Sequence, residues 1–170
     1  MGEISTEVLI RNATLEDLPA LEWDGEFAHF RRLYQDVYQS SRRGDAVLWV
    51  VEEPGVGVVG QVFVQLNSAR MELANGSTRA YLYGFRIQPA YRSQGIGTRL
   101  LQLVETDLRQ RSFRWVVLNV SRENHSARRL YERLGYRVVA AEPGRWSYLD
   151  QFGHRQEVNE PAWRMEKVLR

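Results

Sequence analysis

One stretch constrains this chain more than any other: "RIQPAYRSQGIGTRLL", from Arg86 to Leu101. A β-like run meets a proline, then a turn and two glycines, and a helix follows with Leu100, Leu101, Val104 and Leu108 on one side. A strand that leads into a helix through such a loop predicts an α/β arrangement. Glycine lets the backbone approach a neighbour closely, and a helix start presents unpaired N–H groups. Arg92 adds a charged donor beside Gly95 and Gly97. Together these features suit a bound anion; a plain structural turn is the alternative reading.

Two nucleotide loops fail on detail. A P-loop needs Lys-Ser or Lys-Thr after its last glycine, where this chain has Thr98-Arg99. The dinucleotide fingerprint needs a third glycine, and Leu100 occupies that place. What remains is a diphosphate cradle of another type. In it the amides from Gln94 to Thr98 point at one anion, Arg92 adds a charge-assisted contact, and the helix dipole favours negative charge.

The rest of the chain reads as one mixed α/β domain over residues 1–170. "VLIRNAT" predicts a strand, and Thr14 with Asp17 predicts a helix start followed by the stripe Leu15, Leu18 and Leu21. Residues 25–43, with Phe27, Phe30, Tyr34 and Tyr38 at three- and four-residue steps, predict a second amphipathic helix ended by Gly44. "AVLWVVEE" and "VGVVGQVFVQL" flank "PGVG" as a hairpin, and "NSARMELANGST" predicts a loop with a disordered tip. "RAYLYGFRI" and "WVVLNV" predict strands, "HSARRLYERLGY" a short helix, and "YRVVAAE" and "AWRMEKVL" two further strands around an irregular polar stretch.

Composition narrows the function classes. The sequence contains no cysteine, which removes disulfides, thiolate metal ligands and a cysteine nucleophile. His29, His125 and His154 are scattered without metal-ligand spacing, so no metal is expected. Met1-Gly2 with Thr6 matches a myristoylation pattern only superficially, and no apolar run suits a membrane span or a signal peptide, so the cytoplasm is the expected compartment. A net charge of +2, without a basic patch interleaved with aromatics, argues against a nucleic-acid partner. The arginines at 42–43, 109–114 and 128–129 read as solvated helix faces and ends, with contacts to a phosphate-rich ligand as the alternative.

Two motifs in order carry a family resemblance. Arg92-x-x-Gly95-x-Gly97 is followed by Asn124-x-x-Ala127-x-x-Leu130-Tyr131, with Gly135-Tyr136 closing the helix. This pattern, over about residues 80–140, closely resembles the GNAT superfamily of N-acetyltransferases. The resemblance implies an acyl-CoA N-acyltransferase fold: a central, mostly antiparallel sheet with splayed middle strands and helices on both faces. It also implies acetyl-CoA as acyl donor. The diphosphate would rest on Arg92, Ser93, Gln94, Gly95, Ile96, Gly97 and Thr98, and the backbone of Phe85, Arg86 and Ile87 would meet the pantetheine arm. The acceptor implied is a small-molecule or peptide amine. GNAT relatives are often dimers, so a homodimer is one expectation.

Asn124 and Tyr131 lie seven residues apart, on one helix face with small Ala127 between them. Tyr131 reads either as a core aromatic or, in the family's Leu-Tyr position, as the general acid that protonates the leaving thiolate. Asn124 reads as a helix cap, as a ligand of the cofactor arm, or as both. Many relatives carry a glutamate on the strand before the cradle, where this chain has Tyr81. The general base is therefore unassigned. Glu22, Asp24, Glu26 and Asn119 are the candidates acting through water, each with a plainer role on the surface or at a strand end. Trp23, Phe27, Trp146 and Tyr148 are candidates for the acceptor wall, and an acidic, aromatic pocket would suit a small amine or a cationic peptide end. A binding module of the same fold, sensing acyl-CoA without turnover, is the rival reading.

Overall fold

In the computed structural model residues 7–170 are described; Met1 to Thr6, and with them the Met1-Gly2 and Thr6 pattern, lie outside the described residues. Among the described residues nine strands and three α-helices follow in the order β1 (Leu9–Asn12), α1 (Arg31–Arg42), β2 (Ala46–Glu53), β3 (Gly57–Gln65), β4 (Arg79–Ile87), α2 (Ile96–Gln110), β5 (Trp115–Ser121), α3 (His125–Arg133), β6 (Arg137–Glu142), β7 (Arg145–Leu149), β8 (Arg155–Asn159) and β9 (Ala162–Val168). Seven strands form one sheet in the order β1-β2-β3-β4-β5-β9-β6. Every pairing in it is antiparallel except β4 with β5.

Alternation along β2 sends Ala46, Leu48 and Val50 to one face, where they pack with Leu21, Tyr34 and Val37. Val47 and Val51 go to the other, with Leu100, Leu101, Val104 and Leu108 of α2. Helices thus cover both faces, as the resemblance implies. Within the second layer the carboxylate of Glu105, buried on α2, accepts hydrogen bonds from the Tyr136 hydroxyl at 3.0 Å and Lys167 Nζ at 2.7 Å. Those partners explain why a charge is tolerated there.

The segment after Thr14 is a 3-10 helix, Leu15–Glu22, rather than an α-helix. Pro19 inside it removes an N–H, and a leucine step of three matches three residues per turn. Trp23 and Asp24 then take positive φ values of 47° and 55°, so the α-helix predicted from residue 25 starts only at Arg31, after a short 3-10 turn at Ala28–Phe30. The stretch 67–78 is ordered. Asn75 Oδ1 accepts from the N–H groups of Ser77, Thr78 and Arg79, and Leu73 and Ala74 are buried. The polar stretch before β9 forms the β7–β8 hairpin. Its turn closes on Asp150, whose carboxylate accepts from the N–H groups of Phe152 and His154 at 2.9 Å.

The N-terminal turn carries a pH-dependent element. Asp17 Oδ2 accepts from Arg11 Nη1 at 2.7 Å and from the Thr14 N–H at 2.7 Å. The Arg11 guanidinium holds this carboxyl below the ordinary carboxylate value, with the Thr14 N–H adding to the effect. A depressed folded-state value contributes stability above the unfolded value near 3.9, and that contribution is lost as pH falls through the folded value. Asp17→Asn is therefore expected to cost about 1–2 kcal/mol at neutral pH. The difference from wild type should close in acid; urea melts at both ends of the range check it.

Candidate active site

The site begins where β4 and β5 part. They pair in parallel only from Arg79–Trp115 to Leu82–Leu118. Beyond those residues the two strands diverge, and a cavity of about 810 Å³ opens between them. On the β3 side the register jumps from Gln61–Arg86 to Phe63–Tyr83, so Gly84 and Phe85 have no cross-strand partner. Gly84 takes a φ of 65°, and a Cβ there would lie 2.6 Å from a Phe63 ring carbon. Only glycine fits that bulge.

The glycine loop lies beside this gap. Gly95 caps α2 with a φ of 80°, and a Cβ there would meet nothing within 4 Å. The N–H groups of Gln94 to Thr98 have no acceptor among the described residues. Gly97 serves a different purpose: a Cβ there would sit 2.9 Å from Phe85 Cζ, so its lack of a side chain seats α2 against β4. Arg92, an exposed residue, donates Nε to the carbonyl of Ile87 at 2.8 Å, which fixes the loop to the end of β4. Ser93 is exposed with a φ of 61°, Ile96 is buried in the core, and Gln94 Nε2 donates to the Ala90 carbonyl.

Phe85 connects loop to cavity, its ring centroid 6.2 Å from that of Tyr131. Asn124 accepts the Ala127 N–H at 3.2 Å as a helix cap and also lines the cavity, with Ala127 and Tyr131. Tyr131 is 8% exposed. Burial, with Tyr81 nearby, pushes its phenol well above the ordinary tyrosine value, so it is protonated throughout the neutral range. Asn119, on β5, donates Nδ2 to the Tyr81 hydroxyl at 3.3 Å, while its Oδ1 is buried without a partner. Tyr81 stacks on Tyr83 at 5.6 Å, and burial raises both phenols.

The remaining sequence candidates divide. Trp146 and Arg86 line the cavity. Phe27 lies behind Arg86, Trp23 packs edge-on against Phe27 at 5.3 Å, and Tyr148 backs Phe30 at 4.9 Å. Glu22 is held by Arg31 at 2.8 Å, and Asp24 and Glu26 are exposed; none of the three lines the cavity. Sequence reading missed Glu142, which does line it and which pairs with Arg70 at 3.1 Å and Arg164 at 3.4 Å. Arg70 and Glu142 are distant in sequence, and no local pattern joins them. Among the described residues no group of three or more His, Cys, Asp or Glu side chains could hold a metal ion.

Residues 13–136 match the model of the acetyltransferase (GNAT) family. A search of curated proteins finds no match. Among solved structures, Ard1 from Thermoplasma volcanium superposes with a TM-score of 0.74 at 18% identity, over 96% of this chain and 98% of that one. The ribosomal-protein-S18-alanine N-acetyltransferase from Escherichia coli gives 0.70 at 20% identity, over 95% and 94%. NAA60 from Arabidopsis thaliana in complex with acetyl-CoA gives 0.71 at 22% identity, over 95% and 98%. At these identities the likenesses show the shared fold. No helix among the described residues is long and apolar enough to cross a membrane.

Proposed function

The chain belongs to the GNAT acetyltransferase family, and from that premise we propose that it acts as one domain moving the acetyl group of acetyl-CoA to a primary amine by direct attack in a ternary complex. The observation that carries this reading is the continuity of three features: unpaired N–H groups at the start of α2, the gap between β4 and β5, and a buried phenol at the wall of that gap. The diphosphate rests on Gln94 to Thr98, the pantetheine arm follows β4, and the thioester lies between the strands. A backbone N–H from the Gly84–Phe85 bulge polarises the thioester carbonyl.

The chemistry then needs two proton movements. A free amine attacks the carbonyl carbon, and as the tetrahedral adduct collapses the C–S bond breaks. The Tyr131 O–H gives its proton to the departing sulfur, and the proton that the attacking nitrogen sheds as the amide forms restores the phenol. A lysine-like amine, with a reference value near 10.4, must first lose a proton. A water held by Asn119 Oδ1 beside Tyr81 carries that proton outward, and Glu142 is the carboxylate at the cavity wall that receives it. Asn124 orients the arm while capping α3.

A non-catalytic acyl-CoA sensor is the second reading, and two observations favour it: Tyr81 stands on the inner strand, and Glu142 is engaged by two arginines. Thiol release from acetyl-CoA, measured over a panel of primary amines with the product identified by mass, separates the two. Amine-dependent release with an acetylated product is the expected outcome. Tight binding of acetyl-CoA without such release is the outcome of a sensor.

A further inference from the structure

The front of the cavity carries a cation where the sequence suggested acids. Arg86 lies with its guanidinium carbon 3.9 Å from the centroid of Phe27 and 5.5 Å from that of Phe30. Its Nη1 donates to the Tyr34 hydroxyl at 3.0 Å, and Tyr34 is itself 2% exposed. The fork is therefore held on two sides, by the aromatic rings and by the buried tyrosine hydroxyl. Among the described residues no carboxylate pairs with it, whereas Arg70 and Arg164 share Glu142.

A guanidinium has five N–H donors in one plane, and Tyr34 takes only one of them. A half-buried cation without a counter-charge is costly to maintain, and a ligand oxyanion relieves that cost. Stacking on aromatic faces fixes the plane of the fork, so that a carboxylate or phosphate meets two parallel N–H groups without reorganisation. Phe30 and Trp146 offer an apolar wall for whatever links that oxyanion to the reacting nitrogen.

Resting on the acetyl-transfer reading above, we propose that Arg86 is the specificity residue for the acceptor, and that the acceptor is an amine that also bears an oxyanion. The oxyanion sits on Arg86 at the front of the cavity, and the amine points inward to the gap between β4 and β5. A cationic acceptor is disfavoured at this place by direct repulsion.

Matched pairs of amines test this: γ-aminobutyrate against its methyl ester, alanine against its methyl ester, and phosphoethanolamine against ethanolamine. The expected result is a kcat/KM about tenfold or more higher for the oxyanion-bearing member of at least one pair. Which pair responds tells a carboxylate from a phosphate. Arg86→Gln should erase that ratio mainly through KM, and Arg86→Lys should restore part of it. Titrating acetyl-CoA into each variant locates the loss on the acceptor side. Equal rates within every pair, or a preference that survives Arg86→Gln, overturn the assignment and leave acetyl transfer standing. If acetyl-CoA binds and no amine releases thiol, the transfer reading falls instead. Titration of N-acetyl-γ-aminobutyrate and N-acetyl-phosphoethanolamine into the coenzyme A complex then decides the assignment: binding of either that Arg86→Gln abolishes supports it, and its absence overturns it.

Discussion

Tyr131→Phe is expected to lower turnover by about 10²–10⁴-fold, the usual contribution of a positioned general acid, and to leave acetyl-CoA affinity nearly unchanged. The substitution removes one oxygen from a ring packed against Phe85 at 6.2 Å and Tyr136 at 5.9 Å, so the apolar packing survives. Its burial raises the phenol above the ordinary tyrosine value, so the oxygen carries a proton through the neutral range. A rise in KM with turnover intact would instead make Tyr131 a wall of the pocket. Rapid-mixing measurements of thiol release, with a parallel titration of acetyl-CoA, distinguish these results.

Gly84→Ala is expected to cost about 2–4 kcal/mol of stability, from roughly 1–2 kcal/mol for a side chain at positive φ and a comparable cost for overpacking. The new methyl would lie 2.6 Å and 2.8 Å from two ring carbons of Phe63. That ring has nowhere to go. It is 1% exposed and wedged edge-on between Tyr34 at 5.6 Å and Tyr83 at 5.5 Å. Any relief must come from β4, whose bulge turns the strand away from β5, so the variant should lose acetyl-CoA affinity along with stability. Urea unfolding and a cofactor titration check both effects; a midpoint and affinity equal to wild type would mean that the bulge tolerates a side chain.

Local features were legible in the sequence. The glycine loop and α2 followed from glycines directly before an apolar stripe, because a helix start is specified by a few adjacent residues. Asn124 as a cap followed from its place three residues before Ala127. The 3-10 character of Leu15–Glu22 was present in the leucine step of three and in Pro19, signals that an α-helical reading overlooks. The β7–β8 hairpin was missed because its strands are short and largely exposed: Trp146 and Tyr148 alternate in β7, but β8 offers only Val158 as an apolar residue to pair with them. The partnerships in the cavity were not legible at all. Arg70 meets Glu142 across 72 residues, and Arg86 meets Tyr34 across 52, through a fold no local pattern encodes. Arg86 was marked for its backbone, while its side chain turned to Tyr34 and Phe27 because the bulge at Gly84 resets which face each residue of β4 presents.

The most direct test of the central claim, that the glycine loop and the splayed strands form one acetyl-CoA site, is a calorimetric titration of acetyl-CoA into wild type and Gly95→Glu. Position 95 has open space for a side chain, so the variant should fold with only the strain of its positive φ, about 1–2 kcal/mol, and place a carboxylate in the diphosphate's path. The expected result is one site per chain in the wild type, with ATP binding far more weakly, and an affinity reduced at least about a hundredfold in the folded variant, in keeping with the cost of like charges brought together. No binding by folded wild type, or equal binding by the variant, would contradict the claim and leave the glycine pair as a turn.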